Sequence, residues 1–140
     1  MPLSQEKLTA GRCLCGKVQY QVTGDIGDAM RCYCRSCQCV TGSAFASVAA
    51  VESKRFQLVQ GKDQLGCYES SPGKHRYFCS GCGSAVFVQT DKQPHLTRLR
   101  LGGLENPPGV VTRAHIFVDE KVDWYEIMDD LPQYSGWPTR

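Results

Sequence analysis

The sequence predicts a mainly β protein with small, mostly antiparallel sheets, and three observations support this. Turn-forming residues recur at short intervals along the 140 residues. Apolar side chains alternate with their neighbours in several of the segments between these turns, a period of two that is typical of half-buried strands. No segment carries the long apolar stripe of an amphipathic helix.

The turn signals divide the chain into short segments. Glycine and proline favour turns through their backbone geometry, and asparagine, aspartate and serine favour them through local hydrogen bonds. Such residues cluster at 24–27, 42–43, 61–63, 70–73, 102–103 and 106–109. The segments between these clusters have the length of strands rather than of long helices.

The strands are predicted from alternation and from composition. Val18, Tyr20 and Val22 show the period of two, and Val86 and Val88 show it on either side of Phe87. Alternation also predicts strands around 99–101 and 116–118, and aromatic and β-branched residues predict them at 56–60, 76–78 and 124–128. One helical turn is expected near residues 35–41.

Length, charge and hydropathy restrict the class of protein. A chain of 140 residues fits one domain, 1–140, in which residues 132–140 are expected to form a surface tail. The net charge of +2 argues against nucleic acid as a partner. The first ten residues lack the apolar run of a signal peptide, and no apolar run approaches the ~20 residues of a membrane span. We therefore expect a cytoplasmic protein without a membrane partner.

The nine cysteines are the strongest chemical signal in the sequence. A disulfide framework is not expected, because the number is odd and because the cytosol keeps thiols reduced. Closely spaced cysteines in such a protein are better explained by a metal. Seven of them form three groups, Cys13 with Cys15, Cys32 with Cys34 and Cys37, and Cys79 with Cys82.

The three groups can be divided between two zinc ions. Cys79 and Cys82 form a C-x-x-C-G zinc knuckle, which supplies two of the four ligands that a closed tetrahedral site needs. Cys13 and Cys15 can supply the other two, and this partition leaves Cys32, Cys34 and Cys37 as a three-sulfur set. Three thiolates leave one zinc position free for a ligand, the arrangement of catalytic rather than structural sites.

Two alternatives remain open for the three-sulfur set. Cys39 or Cys67 could complete a second closed zinc site as the fourth ligand. An iron–sulfur cluster is the other alternative, although its usual cysteine spacings differ from those present here.

With these residues identified, the sequence resembles the glutathione-dependent formaldehyde-activating enzyme family over nearly its whole length. The resemblance is carried by the cysteine motifs of residues 11–16, 32–37 and 78–83, together with Thr41 to Ser43, Leu101 to Leu104, Pro107, His115 to Phe117 and Trp124. It implies a fold of small coiled sheets around zinc, sometimes called a β-tent, to which centromere protein V is related.

The resemblance also implies a function. The family assigns a structural zinc to Cys13, Cys15, Cys79 and Cys82, and a catalytic zinc to Cys32, Cys34 and Cys37. The implied reaction joins glutathione, or a similar thiol, to formaldehyde as S-hydroxymethylglutathione, a carbon–sulfur lyase reaction run in reverse. The rival interpretation is a non-catalytic module that binds a partner or a thiol, because proteins of similar fold include a chaperone-like partner of small GTPases.

Residues outside the cysteine groups receive weaker assignments. Tyr33 is a candidate acid for the new oxygen, and Arg35, Lys74 and Arg76 are candidate partners for the carboxylates of glutathione, although each cation also fits a solvated surface. His115 is expected to be a hydrogen-bonded, half-buried strand residue, whereas His75 precedes the knuckle strand and is a candidate to approach a site.

Overall fold

A computed structural model describes residues 7–107 and 109–138 as two β-sheets with one short α-helix. The strands are β1 (Leu8–Arg12), β2 (Gln19–Thr23), β3 (Asp28–Cys32), β4 (Ala46–Glu52), β5 (Phe56–Gln60), β6 (Leu65–Ser71), β7 (Lys74–Cys79), β8 (Ala85–Thr90), β9 (Leu96–Arg100) and β10 (Val111–Ile116). The helix, α1, spans Arg35–Thr41. The predictions of a mainly β fold and of a helical turn at 35–41 are confirmed. No helix in the described ranges is long and apolar enough to cross a membrane.

The strands form a three-stranded and a seven-stranded sheet. The first has the order β1-β2-β5, and the second has the order β10-β3-β4-β9-β8-β7-β6. All pairs are antiparallel except β10 with β3, which is parallel. β4 and β9 therefore lie near the middle of the larger sheet, and β3, which ends at Cys32, pairs with β4.

The main core lies between the two sheets. β2 contributes Tyr20 and Val22 from the smaller sheet, and Leu99 and Phe87 from β9 and β8 meet them from the larger one. The aromatic ring of Phe56 links the two sheets, since its centroid lies 5.3 Å from that of Tyr20 and 4.8 Å from that of Phe87. One face of the seven-stranded sheet is thereby buried, and its other face is free to form a site.

The strand predicted at residues 124–128 is wrong. This segment forms a loop, in which the side chains of Trp124 and Met128 are 72% and 82% exposed. Its aromatic composition suits a strand, but no neighbouring strand pairs with it, and β propensity depends on such packing. The described part of the predicted tail, residues 132–138, lies on the surface beside β10. There the Pro132 carbonyl accepts a hydrogen bond from the His115 amide.

Candidate metal centres

The first cysteine group joins the connection between β1 and β2 to the knuckle after β7. Cys13 follows β1, Cys79 ends β7, and Cys15 and Cys82 lie in the adjoining turns. All four sulfurs lie within 4.8 Å of one another. The Cys13–Cys15 and Cys15–Cys79 sulfur separations are 3.6 and 3.8 Å. Four sulfurs about 2.3 Å from one tetrahedral zinc would stand about 3.8 Å apart, so this group fits the ion.

The turns that carry these cysteines are closed by backbone hydrogen bonds. The Gly83 amide donates to the Cys79 carbonyl at 2.7 Å, and Gly83 has a φ of +80°, which favours glycine. Cys82 is further polarised, since its hydrogen bond with the Ser84 hydroxyl is the main cause that lowers the pKa of its thiol to about 5. A thiolate is the form in which cysteine ligates a metal.

The second group lies where β3 passes into α1. Cys32 ends β3, Cys34 is the N-cap of α1, and Cys37 lies in its first turn. The Cys37 amide donates to the Cys34 sulfur at 3.4 Å, which both caps the helix and brings these two sulfurs together. The three sulfurs also lie within 4.8 Å of one another.

The three cysteines of the second group are linked by hydrogen bonds that favour the thiolate form of Cys34. Hydrogen bonds from the thiols of Cys32 and Cys37 hold the pKa of the Cys34 thiol far below its usual value, and the same pairing raises the pKa of Cys32. Cys32 and Cys37 are buried, whereas Cys34 is partly exposed. The arrangement can hold a metal ion and leaves that ion accessible from one side.

No fourth ligand residue joins Cys32, Cys34 and Cys37 within the described part of the chain. Cys39 and Cys67, the two candidates for a closed site, are both exposed and belong to neither group. The structure therefore brings the seven cysteines together in the four-plus-three partition.

A narrow cavity adjoins the three-cysteine group on the free face of the seven-stranded sheet. Cys32 and Cys37 line it together with Lys74 and Arg98. Its remaining walls are mostly apolar, formed by Met30, Val48, Ala50, Val88, Ile116 and Trp137, with Arg100 beside them. An adjoining cleft of about 760 Å³ shares Lys74, Arg98 and Trp137 with the cavity. The cavity itself has a volume of about 40 Å³, so it is the cleft, and not the cavity, whose volume lies in the usual range for small-molecule sites.

Tyr33 does not line this cavity. Its side chain is fully buried, and its hydroxyl donates a hydrogen bond to Nδ1 of His115 at 2.8 Å. Nε2 of His115 in turn donates to the carboxylate of Asp129 at 3.0 Å. The hypothesis that Tyr33 protonates the new oxygen is therefore not supported. His115 is hydrogen-bonded as expected, but it is fully rather than half buried.

The other candidates divide between the cavity and the rest of the surface. Lys74 lines the cavity and Arg76 lies on the same sheet face, whereas the Arg35 guanidinium donates to Gln38 within α1. His75 pairs with Asp91 at 3.0 Å and lies outside the cavity. Sequence reasoning missed Arg98 and Arg100. The available signal was the alternation of Thr97, Arg98, Leu99 and Arg100, which places both arginines on one face of a strand.

Curated relatives of the chain carry names of enzymes. A protein of Halomonas elongata, provisionally named a glutathione-dependent formaldehyde-activating enzyme, is 29% identical over 94% of this chain and 89% of its own length. A Schizosaccharomyces pombe protein named an uncharacterized lyase is 25% identical over 89% of each chain.

A solved structure is similar in fold. The crystal structure of a Rhodobacter sphaeroides protein matches with a TM-score of 0.61 and 24% identity, over 89% of this chain and 98% of that chain. Residues 8–120 match the family described as glutathione-dependent formaldehyde-activating enzyme. This match spans most of the chain, including both cysteine groups, and the protein therefore belongs to the glutathione-dependent formaldehyde-activating enzyme family.

Proposed function

We propose that this protein is a zinc enzyme that joins the thiol of glutathione, or of a similar small molecule, to formaldehyde. The observation that carries the proposal is the three-sulfur group of Cys32, Cys34 and Cys37, which has no fourth ligand residue in the described part of the chain and of which Cys32 and Cys37 line a cavity. A catalytic metal must be accessible to the substrate from a cavity. A purely structural ion needs no such cavity. The family and the names of its members support the same reaction.

The cysteines have unequal roles in this proposal. Cys13, Cys15, Cys79 and Cys82 would hold a zinc that stabilises the fold, and Cys32, Cys34 and Cys37 would hold the second zinc. A zinc ion at the second group supplies a Lewis acid that lowers the pKa of an incoming thiol. The apolar walls from Met30, Val48 and Ile116 restrict water around the reacting sulfur.

The reaction forms one carbon–sulfur bond. The thiolate sulfur donates its electron pair to the carbon of formaldehyde, and the π pair of the carbonyl moves to the oxygen. A proton from solvent then completes the S-hydroxymethyl product, so no oxidant or reductant is required. The chain contributes chiefly by positioning the sulfur and by excluding competing water.

Cobalt substitution tests both the ligand set and the reaction. Adding glutathione should change the cobalt–sulfur absorption of the wild-type protein, and formation of S-hydroxymethylglutathione should exceed the uncatalysed rate. Cys34→Ala should abolish both responses by removing one of the three ligands.

Cys39→Ala is the matched control, because Cys39 lies in the same helix but is exposed and outside the group. It should retain both responses. A spectral response without faster product formation would indicate a thiol-binding protein instead of an enzyme, and no response to glutathione in the wild type would exclude the proposal.

A further inference from the structure

Four cationic side chains share one face of the seven-stranded sheet with the end of β3. In a register-matched sheet, directly opposed residues project to the same side. Arg100 is paired with Val48, which is paired with Met30, two residues before Cys32. The next row along the sheet consists of Ala50, Arg98, Val88 and Arg76. Lys74 is two residues from Arg76 and therefore lies on the same face. We call Lys74, Arg76, Arg98 and Arg100 the cationic face.

The cationic face has no acidic partner among the described residues. None of its four members takes part in an ion pair with aspartate or glutamate there. The hydrogen bonds they make are to neutral groups, from Arg76 Nε to the Ser70 hydroxyl and from Arg98 to the Gln93 amide oxygen. One guanidinium nitrogen of Arg76 and one of Arg98 are buried without any hydrogen-bond partner.

Such an arrangement is costly unless an anion completes it. Arg76 is only 7% exposed, and a buried charge that lacks a counter-charge destabilises a protein. Burial is the main cause that lowers the pKa of the Lys74 ammonium; the neighbouring Arg76 lowers it further, whereas Cys34 and Cys37 act in the opposite direction. Groups with perturbed pKa values cluster at functional sites, so this face is a candidate binding site.

The thiolates of the three-cysteine group do not supply enough negative charge. A zinc ion with three thiolates carries one net negative charge, so four cations leave an excess of three. An incoming thiolate would reduce this excess to two. Further anionic groups on the molecule that carries the thiol would offset the remaining charge.

The cationic face lies close enough to the three-cysteine group for one small molecule to contact both. β3 and β9 are separated by β4, so their backbones stand about 10 Å apart, and Arg100 lines the same cavity as Cys32 and Cys37. Arg98 and Lys74 line both the narrow cavity and the larger cleft. Trp137 lies against them, with the Arg98 guanidinium 5.3 Å from its ring centroid.

We propose that the cationic face is a carboxylate-binding subsite for the thiol substrate, and that Arg98 and Arg100 determine specificity for thiols that carry a carboxylate. This inference rests on the proposed function, because the thiol is bound at the three-cysteine group. Arginine suits the role, since its planar guanidinium can donate two parallel hydrogen bonds to one carboxylate.

A pair of thiols that differ only in charge tests the subsite. 3-Mercaptopropionate and 3-mercaptopropionamide have nearly the same size, and their affinities can be measured from the cobalt–sulfur absorption of the cobalt-substituted protein. The wild type should bind the carboxylate at least about tenfold more tightly than the amide, as expected for one charged hydrogen-bonded pair. Arg98→Gln and Arg100→Gln should each reduce this preference severalfold, and the double variant should abolish it without weakening binding of the amide.

Arg113→Gln is the matched control. Arg113 is 60% exposed and pairs with Asp28, away from the cavity, so the variant should keep the wild-type preference. Equal binding of the two thiols by the wild type, or an equal loss of preference in Arg113→Gln, would refute the subsite. A further outcome would also refute it: Arg98→Gln and Arg100→Gln lose cobalt, but the fraction that keeps cobalt still prefers the carboxylate. The cations would then stabilise the cysteine thiolates and would not bind the substrate carboxylate.

Trp137 provides a readout that needs no bound thiol. In a Trp124→Phe background it is the remaining tryptophan, and S-methylglutathione, which has carboxylates but no free thiol, should change its fluorescence. Arg98→Gln should remove this response, and a response that survives in Arg98→Gln would contradict the assignment.

The two proposals can fail separately. If carboxylate preference is observed but no S-hydroxymethyl product forms, the subsite stands and the proposed reaction is wrong. If both thiols react equally well with formaldehyde, the reaction stands and the carboxylate subsite is wrong.

Discussion

At the scale of single residues, the ring of Tyr20 is well packed in the core, whereas its hydroxyl is buried without a hydrogen bond among the described residues. Its ring is 2% exposed and packs beside Phe56, and a Cβ atom at Gly11 would come within 2.3 Å of it. Its hydroxyl is buried and has no hydrogen-bond partner in the described part of the chain. Burial raises the pKa of this hydroxyl to about 12, so it stays neutral. The hydroxyl therefore costs desolvation without returning a hydrogen bond.

Tyr20→Phe should consequently leave the free energy of unfolding unchanged or raise it by up to about 1 kcal/mol, because it removes an unpaired buried polar group and keeps the ring. Urea unfolding measures this. Tyr68→Phe is the control, since Tyr68 is 65% exposed and should show no change. A destabilisation of Tyr20→Phe beyond about 1 kcal/mol would mean that the hydroxyl has a partner after all.

At the scale of secondary-structure elements, β9 explains both what the sequence could predict and what it could not. Thr97 and Leu99 are fully buried, while Arg98 and Arg100 project to the opposite face. Alternation finds such strands because one face is buried, and it found β2 and β8 in the same way. It cannot supply the neighbour of each strand, so the parallel pairing of β10 with β3 and the meeting of β9 with β3 across β4 were not predictable.

The cysteine groups were predictable to a greater extent than the cationic face. The spacing of Cys79 and Cys82 specifies a local turn, and local geometry follows from local sequence. The residues of the cationic face come from β7 and β9, which are separated by β8. In the sequence they resemble ordinary surface charges, and only the register of the three strands shows that they share one face. The strand expected at 124–128 failed for the same reason, since composition alone does not provide a partner strand.

The segment that follows β10, residues 117–138, is held against this strand by a small number of hydrogen bonds. The Tyr134 amide donates to the His115 carbonyl, and the Asp129 carboxylate accepts from the His115 ring. These contacts bring Trp137 against Phe117, with ring centroids 5.3 Å apart. The segment thereby supplies one wall of the cavity.

Asp129→Asn should loosen this segment at neutral pH. The hydrogen bond from His115 is the main cause that lowers the pKa of Asp129. A carboxyl with a lowered pKa stabilises the fold above its unfolded pKa and loses that effect as the pH falls through the folded pKa. At pH 7 the contribution is fully present, so its removal should be visible as a red-shifted Trp137 emission in a Trp124→Phe background.

Asp130→Asn provides the comparison, because the Asp130 side chain makes no hydrogen bond or ion pair within residues 109–138. Its emission should match that of the parent protein. If Asp129→Asn leaves the emission unshifted as well, the His115–Asp129 contact does not position Trp137.

At the scale of the whole molecule, the two sheets are joined by their shared core and by the four-cysteine group. Cys15 and Cys79 are 64 residues apart. Closing a loop of this length costs about 3.7 kcal/mol of chain entropy, whereas a structural zinc contributes about 10–16 kcal/mol. The four-cysteine group can therefore determine whether the chain folds, whereas the three-cysteine group joins only β3 and α1, which are adjacent in sequence.

Cys79→Ser should unfold the protein or lower its stability by several kcal/mol, because it breaks the contact between the sheets. Cys37→Ala should preserve the fold and cost about 1–2 kcal/mol, since it removes one buried sulfur from a local group. Thermal unfolding with metal content measured on the same samples decides between these outcomes. Equal losses in both variants would make the three-cysteine group structural.

The 64-residue separation also sets an order of events during synthesis. Cys37 completes the local group, and Cys82, which completes the long-range group, lies 45 positions later. At about 5–20 residues per second, the ribosome needs roughly 2–9 seconds to add those positions. The growing chain thus contains all three sulfurs of the local group before Cys79 and Cys82, the partners of Cys13 and Cys15, have been synthesised. If both groups bind zinc as proposed, the three-cysteine group therefore has all its ligands several seconds before the four-cysteine group does.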